Sequence, residues 1–409
     1  MRKAILIVGD GMADRQIKEL NGRSPLERAY TPNMDKLAKE GVGGLRSPYK
    51  PGKAVESDVA NLILLGYDPE KCYLGRGAFE ALGLGLRLEE GDLAFRVNLA
   101  TVKNGVIVDR RAGRFNWDKQ PIVDALDGMK INDVEVRFYP GVEHRAVVVF
   151  KGENLSRKIS GNDPHKIGVS PNQIIPLEKD PAAQRTAEIV SQFVEKSAKI
   201  LENLEINKKR EEKGLLPANF LLLRGPGMYR KLEQFQEKYK VKGCVVCGFP
   251  LVRGVGRAIG LECIQVKGAT GRINTNYIGK AEAVVRALKN YDFVFLHFKA
   301  PDTASHDGNI DQKIRVIERI DEAIGKILES VSLDELVIAV TSDHATPISV
   351  RDHTGDLVPF TMYSTEIIPD DVEAFSERHA MKGGYGTIDS TSLVDLLINF
   401  SRKPLFVEF

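Results

Sequence analysis

Cysteine, histidine and tryptophan are scarce in this chain: 409 residues hold four Cys, seven His and one Trp. So few thiols over such a length exclude the disulfide framework of a small secreted domain and point to a reducing compartment. An excess of one charge is also missing, because 58 basic side chains meet 56 acidic ones and leave a formal +2. That balance excludes the global basic footprint of a nucleic-acid binder or of a protein drawn to anionic membranes, so recognition of phosphate has to be local. Long apolar runs are lacking too. Ala4 to Val8, Asn219 to Leu223, Asp292 to Phe298 and Leu336 to Val340 all fall well short of the roughly 18 residues that span a bilayer. The first of them is too short for a signal-peptide core and is followed by Asp10. The expectation is a cytoplasmic protein with no nucleic-acid and no membrane partner, of a size, 409 residues, that exceeds one core and calls for two domains.

Against these absences stands a regular alternation of elements. Lys3 to Gly9 reads as a first strand, followed by a turn at Gly9-Asp10-Gly11. Residues 31–41 read as a helix, with Thr31 as its cap, Pro32 at the first helical position, Met34, Leu37 and Ala38 as the apolar stripe, and Gly41 as a left-handed ending. A second helix over about Ser57 to Leu65 places Ser57 at or near its N-terminus. Toward the end of the chain come a strand at Asp292 to Phe298 and a strand at Glu335 to Thr341. The helix between them, Asp311 to Ser330, carries Ile314, Ile317, Ile320, Ile324 and Leu328 on one face. This strand, helix and strand predict a parallel sheet whose ligands collect at the carboxyl ends of strands, and Asp10, Asp302 and Asp343 all follow such strands. The middle differs. Leu93 to Val102 and Val106 to Val108 flank an Asn104-Gly105 turn, Val134 to Phe138 and Arg145 to Phe150 flank Pro140-Gly141, and an amphipathic helix covers about Ala183 to Leu204. The fold class is therefore α/β, a core of residues 1–94 and 216–409 with a mainly parallel sheet flanked by helices, interrupted by an inserted α+β domain at 95–215. The mixed-charge run Lys208 to Lys213 reads as a solvated helix end or linker.

Three of the seven His fall in one stretch near the C-terminus: His306, four residues after Asp302; His344, beside Asp343; and His353. Asp302 and His306 share a helical face and can grip one ion, while Asp343 and His344 leave a strand end. With Asp10 these side chains could hold two divalent ions. Carboxylate and imidazole ligands without thiolate suit Mn²⁺, Zn²⁺ or Co²⁺ and do not choose among them. Taken one at a time, each pair is an ordinary surface or turn feature; it is their coincidence after parallel strands that carries the metal reading.

These residues resemble a pattern found in the alkaline phosphatase superfamily, and within it the archaeal-type cofactor-independent phosphoglycerate mutases. The resemblance rests on Gly9-Asp10-Gly11-Met12-Ala13-Asp14, the segment 31–41, Glu56-Ser57-Asp58, Pro301-Asp302 through His306-Asp307-Gly308, Ser342-Asp343-His344, and His353-Thr354 before Val358-Pro359-Phe360. The superfamily shares most of these; their spacing, Arg76-Gly77-Ala78-Phe79-Glu80 and the insertion narrow the resemblance to the mutases. It implies an alkaline-phosphatase-like core in which Asp10, Ser57, Asp343 and His344 surround one ion and Asp302, His306 and His353 the other. Ser57 is the implied nucleophile, and no 2,3-bisphosphoglycerate is required. A serine hydroxyl bound to a divalent ion has a lowered pKa and needs no separate base. The implied reaction interconverts 2-phosphoglycerate and 3-phosphoglycerate through phosphoserine, in a cleft that the insertion closes against water. The alternatives are a metal-dependent phosphomonoesterase or phosphonate hydrolase of the same superfamily, or a non-catalytic metal-binding protein.

Retention of the glycerate calls for cations. Candidates are His144-Arg145 and His165-Lys166 in the insertion together with Arg76, and further Arg111, Arg114, Arg253, Arg257 and Lys299. Cys244-Val245-Val246-Cys247 has the spacing of a metal knuckle, yet no second pair exists and a strand sends the two thiols to opposite faces, so it reads as a buried strand. Gly225-Pro226-Gly227 and Gly254-Val255-Gly256 read as turns. The oligomeric state is not encoded in any of these features.

Overall fold

The Lys3–Gly9 strand is buried from Ala4 onward, as an unbroken apolar run demands of a strand covered on both faces. The computed structural model, which describes residues 2–401, places this strand inside an eight-stranded sheet. The order is Glu262–Ile264, Gly243–Cys247, Phe293–Phe298, Lys3–Gly9, Leu336–Thr341, Val358–Tyr363, Val42–Arg46 and Thr387–Ile388. The first five of these run parallel, while Val358–Tyr363 is antiparallel to both of its neighbours. The sheet belongs to a unit formed by Met1–Tyr73 and Leu232–Phe409.

The helix expected over Asp311 to Ser330 spans Ile310–Ser330 and buries Val316, Ile317, Ile320, Ala323, Ile324 and Ile327 in this unit's core. Ile314 and Leu328 lie at the margin, half-buried. Lys313 turns inward instead, its ammonium 2.8 Å from Asp14 and 3.0 Å from the Thr346 carbonyl. The helix in 31–41 spans Pro32–Lys39, and both of its ends differ from expectation. Thr31 makes no capping bond. The carboxylate of Asp321, on the long helix, accepts from the amides of Asn33 at 3.0 Å and Met34 at 2.8 Å, satisfying donors that a local cap would otherwise take. Gly41 is not left-handed; a side chain there would collide with the Met362 carbonyl, so close approach of a strand explains the glycine.

A second unit spans Leu74–Lys231, wider at both ends than the expected 95–215. The cause is packing: the Arg76–Leu84 helix and the Phe220–Met228 strand both lie on the Leu93–Lys103 strand. Its antiparallel sheet runs Val106–Asp109, Leu93–Lys103, Arg145–Lys151, Val134–Pro140, Met129–Ile131, with Phe220–Met228 also paired to Leu93–Lys103. The Pro181–Asn203 helix, capped by Asp180, brings Phe193 edge-on to Phe150 at 5.4 Å, and Phe150 meets Phe95 at 5.9 Å in the same way. The run Lys208 to Lys213 is not wholly solvated. Most of it forms the Glu205–Glu212 helix, and Arg210 is buried over the Phe115 ring at 4.6 Å.

Neither glycine motif is a turn. Gly225-Pro226-Gly227 lies in the Phe220–Met228 strand, where a Cβ on Gly227 would stand 2.6 Å from the Ala78 nitrogen, and Gly254-Val255-Gly256 lies in the Pro250–Ala258 helix. Cys244 and Cys247 occupy the buried Gly243–Cys247 strand as expected. Among the described residues no helix is long and apolar enough to cross a membrane.

Candidate active site

Neighbouring parallel strands end on one edge of a sheet, and that edge is where loops can converge. The strands Lys3–Gly9, Phe293–Phe298 and Leu336–Thr341 deliver Asp10, Lys299 and Asp343-His344 there. Asp302 and His306 lie one turn apart on the Ala300–His306 helix. Ser57 is the first residue of the Ser57–Leu64 helix, with Glu56 in the capping position, so Ser57 is not the N-cap. The seven residues singled out as ligands and nucleophile all belong to the first unit.

Their geometry is tight. Ser57 Oγ lies 2.9 Å from Lys299 Nζ and 3.3 Å from His344 Nε2. Lys299 Nζ also reaches Asp10 Oδ1 at 2.9 Å and Asp302 Oδ2 at 2.7 Å. His344 Nε2 stands 3.5 Å from Asp10 Oδ1 and 3.7 Å from Asp343 Oδ2. His353 Nε2 and His306 Nε2 approach Asp302 Oδ1 at 3.2 Å and 3.4 Å. Donor atoms of Asp10, Asp343 and His344 fall within 4.8 Å of one another, and so do those of Asp302, His344 and His353, and those of His306, Asp352 and His353. Asp352 was not anticipated.

The donor set fits divalent ions. Three buried carboxylates, Asp10, Asp302 and Asp343, act on one ammonium, and no thiolate is among the ligand atoms. Gly11, at φ +59°, lets the backbone pass where a side chain would press on Thr346 and Asp302. Burial alone would raise the Asp302 carboxyl, but Lys299, His306 and His353 hold it well below the usual range. Burial likewise opposes a charge on His353, yet Asp302 pushes it up to about 9. Lys299 is raised despite its burial because Asp10 and Asp302 face it, so it carries its charge at neutral pH.

Several supporting residues escaped the sequence reading. Asn61 donates to the Ser57 carbonyl and to Asp343 Oδ2, both at 2.7 Å. Arg46, fully buried, donates to the Ser342 carbonyl at 2.8 Å and the Asp343 carbonyl at 2.9 Å. His297 Nε2 stands 3.0 Å from Asp10 Oδ2, with Cys247 Sγ 3.5 Å from its other nitrogen. His297 left a signal: it is a lone polar residue in a buried apolar strand, two before Lys299. Lys299 itself was named only as one candidate among the substrate cations.

The second unit gathers a different cluster. Arg96 lies 3.2 Å from Glu80 and Arg76 3.8 Å from it, while Arg110 grips Asp163 with two bonds of 2.9 Å and 2.7 Å. His165, at φ +59°, approaches Arg110 and Arg224 at 3.4 Å and 3.5 Å. Among the described residues, the buried Nε atoms of Arg96, Arg145 and Arg224 have no hydrogen-bond partner, nor has His144 Nδ1. Arg96, Arg110 and Arg224 join the expected Arg76, Arg145 and His165, whereas Lys166 is exposed. His144 was expected as a cation, but burial first, then Arg145, Arg111, Arg96 and Lys119, push it down to about 3, so it is neutral at pH 7.

Known proteins are similar to this chain over nearly all of its length. Residues 38–207 match the family described as 2,3-bisphosphoglycerate-independent phosphoglycerate mutase, and residues 226–366 match type I phosphodiesterase / nucleotide pyrophosphatase. A 2,3-bisphosphoglycerate-independent phosphoglycerate mutase of Pyrococcus abyssi is 46% identical over 404 residues, covering 98% of each chain. One from Thermococcus kodakarensis is 45% identical over the same length and coverage. Among solved structures, a cofactor-independent phosphoglycerate mutase from Thermoplasma acidophilum superposes with a TM-score of 0.73 at 38% identity, covering 98% of this chain and 100% of that one. A protein from Pyrococcus horikoshii reaches 0.86 at 42% identity, covering 98% of both.

Proposed function

The chain belongs to the family of 2,3-bisphosphoglycerate-independent phosphoglycerate mutases, and we propose that it interconverts 2-phosphoglycerate and 3-phosphoglycerate through a phosphoserine formed at Ser57. The observation that carries this route is the position of Ser57 Oγ, 2.9 Å from Lys299 and 3.3 Å from His344 amid the ligand atoms. Asp10, Ser57, Asp343 and His344 would hold one divalent ion and Asp302, His306 and His353 a second, with Mn²⁺, Zn²⁺ and Co²⁺ all suited to the donors. Such ions supply Lewis acidity that lowers the serine pKa and offsets phosphate charge.

Ser57 Oγ attacks phosphorus in line, the bond from phosphorus to the glycerate oxygen breaks, and the serine proton is replaced by the phosphoryl group as the leaving alkoxide gains a proton. Lys299 stays charged throughout and stabilises the oxygen that bears developing negative charge. The helix that begins at Ser57 adds its positive dipole end to the same oxygen. The other glycerate hydroxyl then attacks the phosphoserine, which regenerates Ser57 and gives the isomer. Retention of glycerate separates a mutase from a phosphatase. We assign its carboxylate to Arg76, Arg145 and Lys166, with His165, whose pKa burial lowers, and neutral His144 as hydrogen-bonding partners. The setting is the cytoplasm, and the partner is this small molecule.

Purified protein with Mn²⁺, Co²⁺ or Zn²⁺, given 3-phosphoglycerate without 2,3-bisphosphoglycerate, is expected to yield 2-phosphoglycerate and little free phosphate. Release of phosphate without isomerisation would refute the mutase route. Ser57→Ala is expected to lose at least about a thousandfold in turnover, as removal of a nucleophile does.

A further inference from the structure

The three histidines of the cluster each use Nε2 toward the ligand atoms, so each Nδ1 must be held as a donor. For two of them the holder is a backbone carbonyl, which can only accept. His353 Nδ1 lies 2.8 Å from the Val55 carbonyl and His306 Nδ1 2.8 Å from the Arg351 carbonyl. For His344 no such carbonyl stands among the described residues. Its Nδ1 faces the hydroxyl of Thr346 at 3.1 Å, and that hydroxyl donates to Asp302 Oδ1 at 2.9 Å.

A hydroxyl has one proton to give. The Thr346 hydroxyl gives that proton to Asp302 Oδ1, so toward His344 Nδ1 its oxygen must accept. We propose that Thr346 is a positioning residue of the ion site, one that fixes His344 as the Nδ1–H tautomer and orients Asp302 through the same oxygen. Nε2 of His344 is then left with its lone pair toward Ser57, Asp10 and Asp343. Thr346 is itself immobilised: it is fully buried, its amide donates to the Ala13 carbonyl at 3.2 Å, and its carbonyl accepts from Lys313 at 3.0 Å. One side chain thus joins a ligand of each proposed ion, and the inference rests on the metal reading above.

The test uses the full chain and two variants, with Mn²⁺ and Zn²⁺ alone as probes in a chelator-competition titration. Thr346→Val keeps the shape and removes the proton; it is expected to weaken ion affinity about 10- to 100-fold, the usual effect of losing a partner behind a ligand. Thr346→Ser restores the hydroxyl and is expected to recover most of that loss. Equal affinity in Thr346→Val and wild type overturns the proposal, as does a Ser variant as weak as the Val variant. Wild type that binds neither ion overturns the metal reading itself, and with it this inference. Nitrogen-15 spectra of histidine-labelled wild type without ion give a reading independent of any variant's folding. A protonated Nδ1 with bare Nε2 on His344 supports the assignment, and the opposite tautomer refutes it.

Discussion

Lys299 makes three short contacts, to Asp10, Asp302 and Ser57, and its ammonium is the cation nearest all three. Its removal takes the shortest ion pair from each of two buried carboxylates and leaves them only histidine partners, His297 at Asp10 and His306 and His353 at Asp302. Lys299→Met is therefore expected to destabilise the ion-free protein by about 3–5 kcal/mol, the cost of breaking a buried ion pair on one side. Bound divalent ion supplies charge to the same carboxylates, so the deficit should shrink in its presence. Urea unfolding with chelator and with Mn²⁺ measures both values, and equal deficits in the two conditions would show that Lys299 does not neutralise the ligand set.

The Pro32–Lys39 helix has a prolyl start but borrows its cap from another element, because Asp321 reaches its first amides from the long Ile310–Ser330 helix. Asp321→Ala should cost about 1–2 kcal/mol, the range for losing a cap whose donors are buried, read as a lower urea midpoint with an unchanged slope. This bond also marks how far local reasoning reaches. The strands at Lys3 and Leu336 and the helix at Ser57 were legible because burial and period are written in a few adjacent residues. Asp10, Asp302, Asp343, His306 and His344 stood out as candidates because each follows a strand or shares a helical turn and His353 because it falls in the same stretch, whereas Ser57 was singled out through the family resemblance. Asp321, Thr346, Arg46 and Asn61 were not: each has a partner far along the chain, and nothing in a lone Thr or Asn announces which group it will meet. Gly41 and Gly227 misled for a related reason, since a glycine kept for close approach looks in sequence like one kept for a turn.

The chain builds two cores, one around the Lys3–Gly9 sheet and one around Phe95, Phe150 and Phe193, and the second carries its own acid sensitivity. His144 titrates near pH 3 when folded, against an ordinary 6.5. The unfolded chain therefore binds a proton that the fold refuses, so this contribution is complete above pH 6.5 and fades as pH falls from 6.5 toward 3. His144→Gln should flatten the fall in melting temperature between pH 7 and 4.5; an unchanged pH profile would contradict the assignment. The first unit is governed by another connection. The Nδ1 of His353 holds the Val55 carbonyl, two residues before Ser57, while its Nε2 faces Asp302. A shift of that ring on one side is transmitted to the backbone leading into the serine on the other. The ligand set is in this sense a latch on the nucleophile as much as a seat for ions.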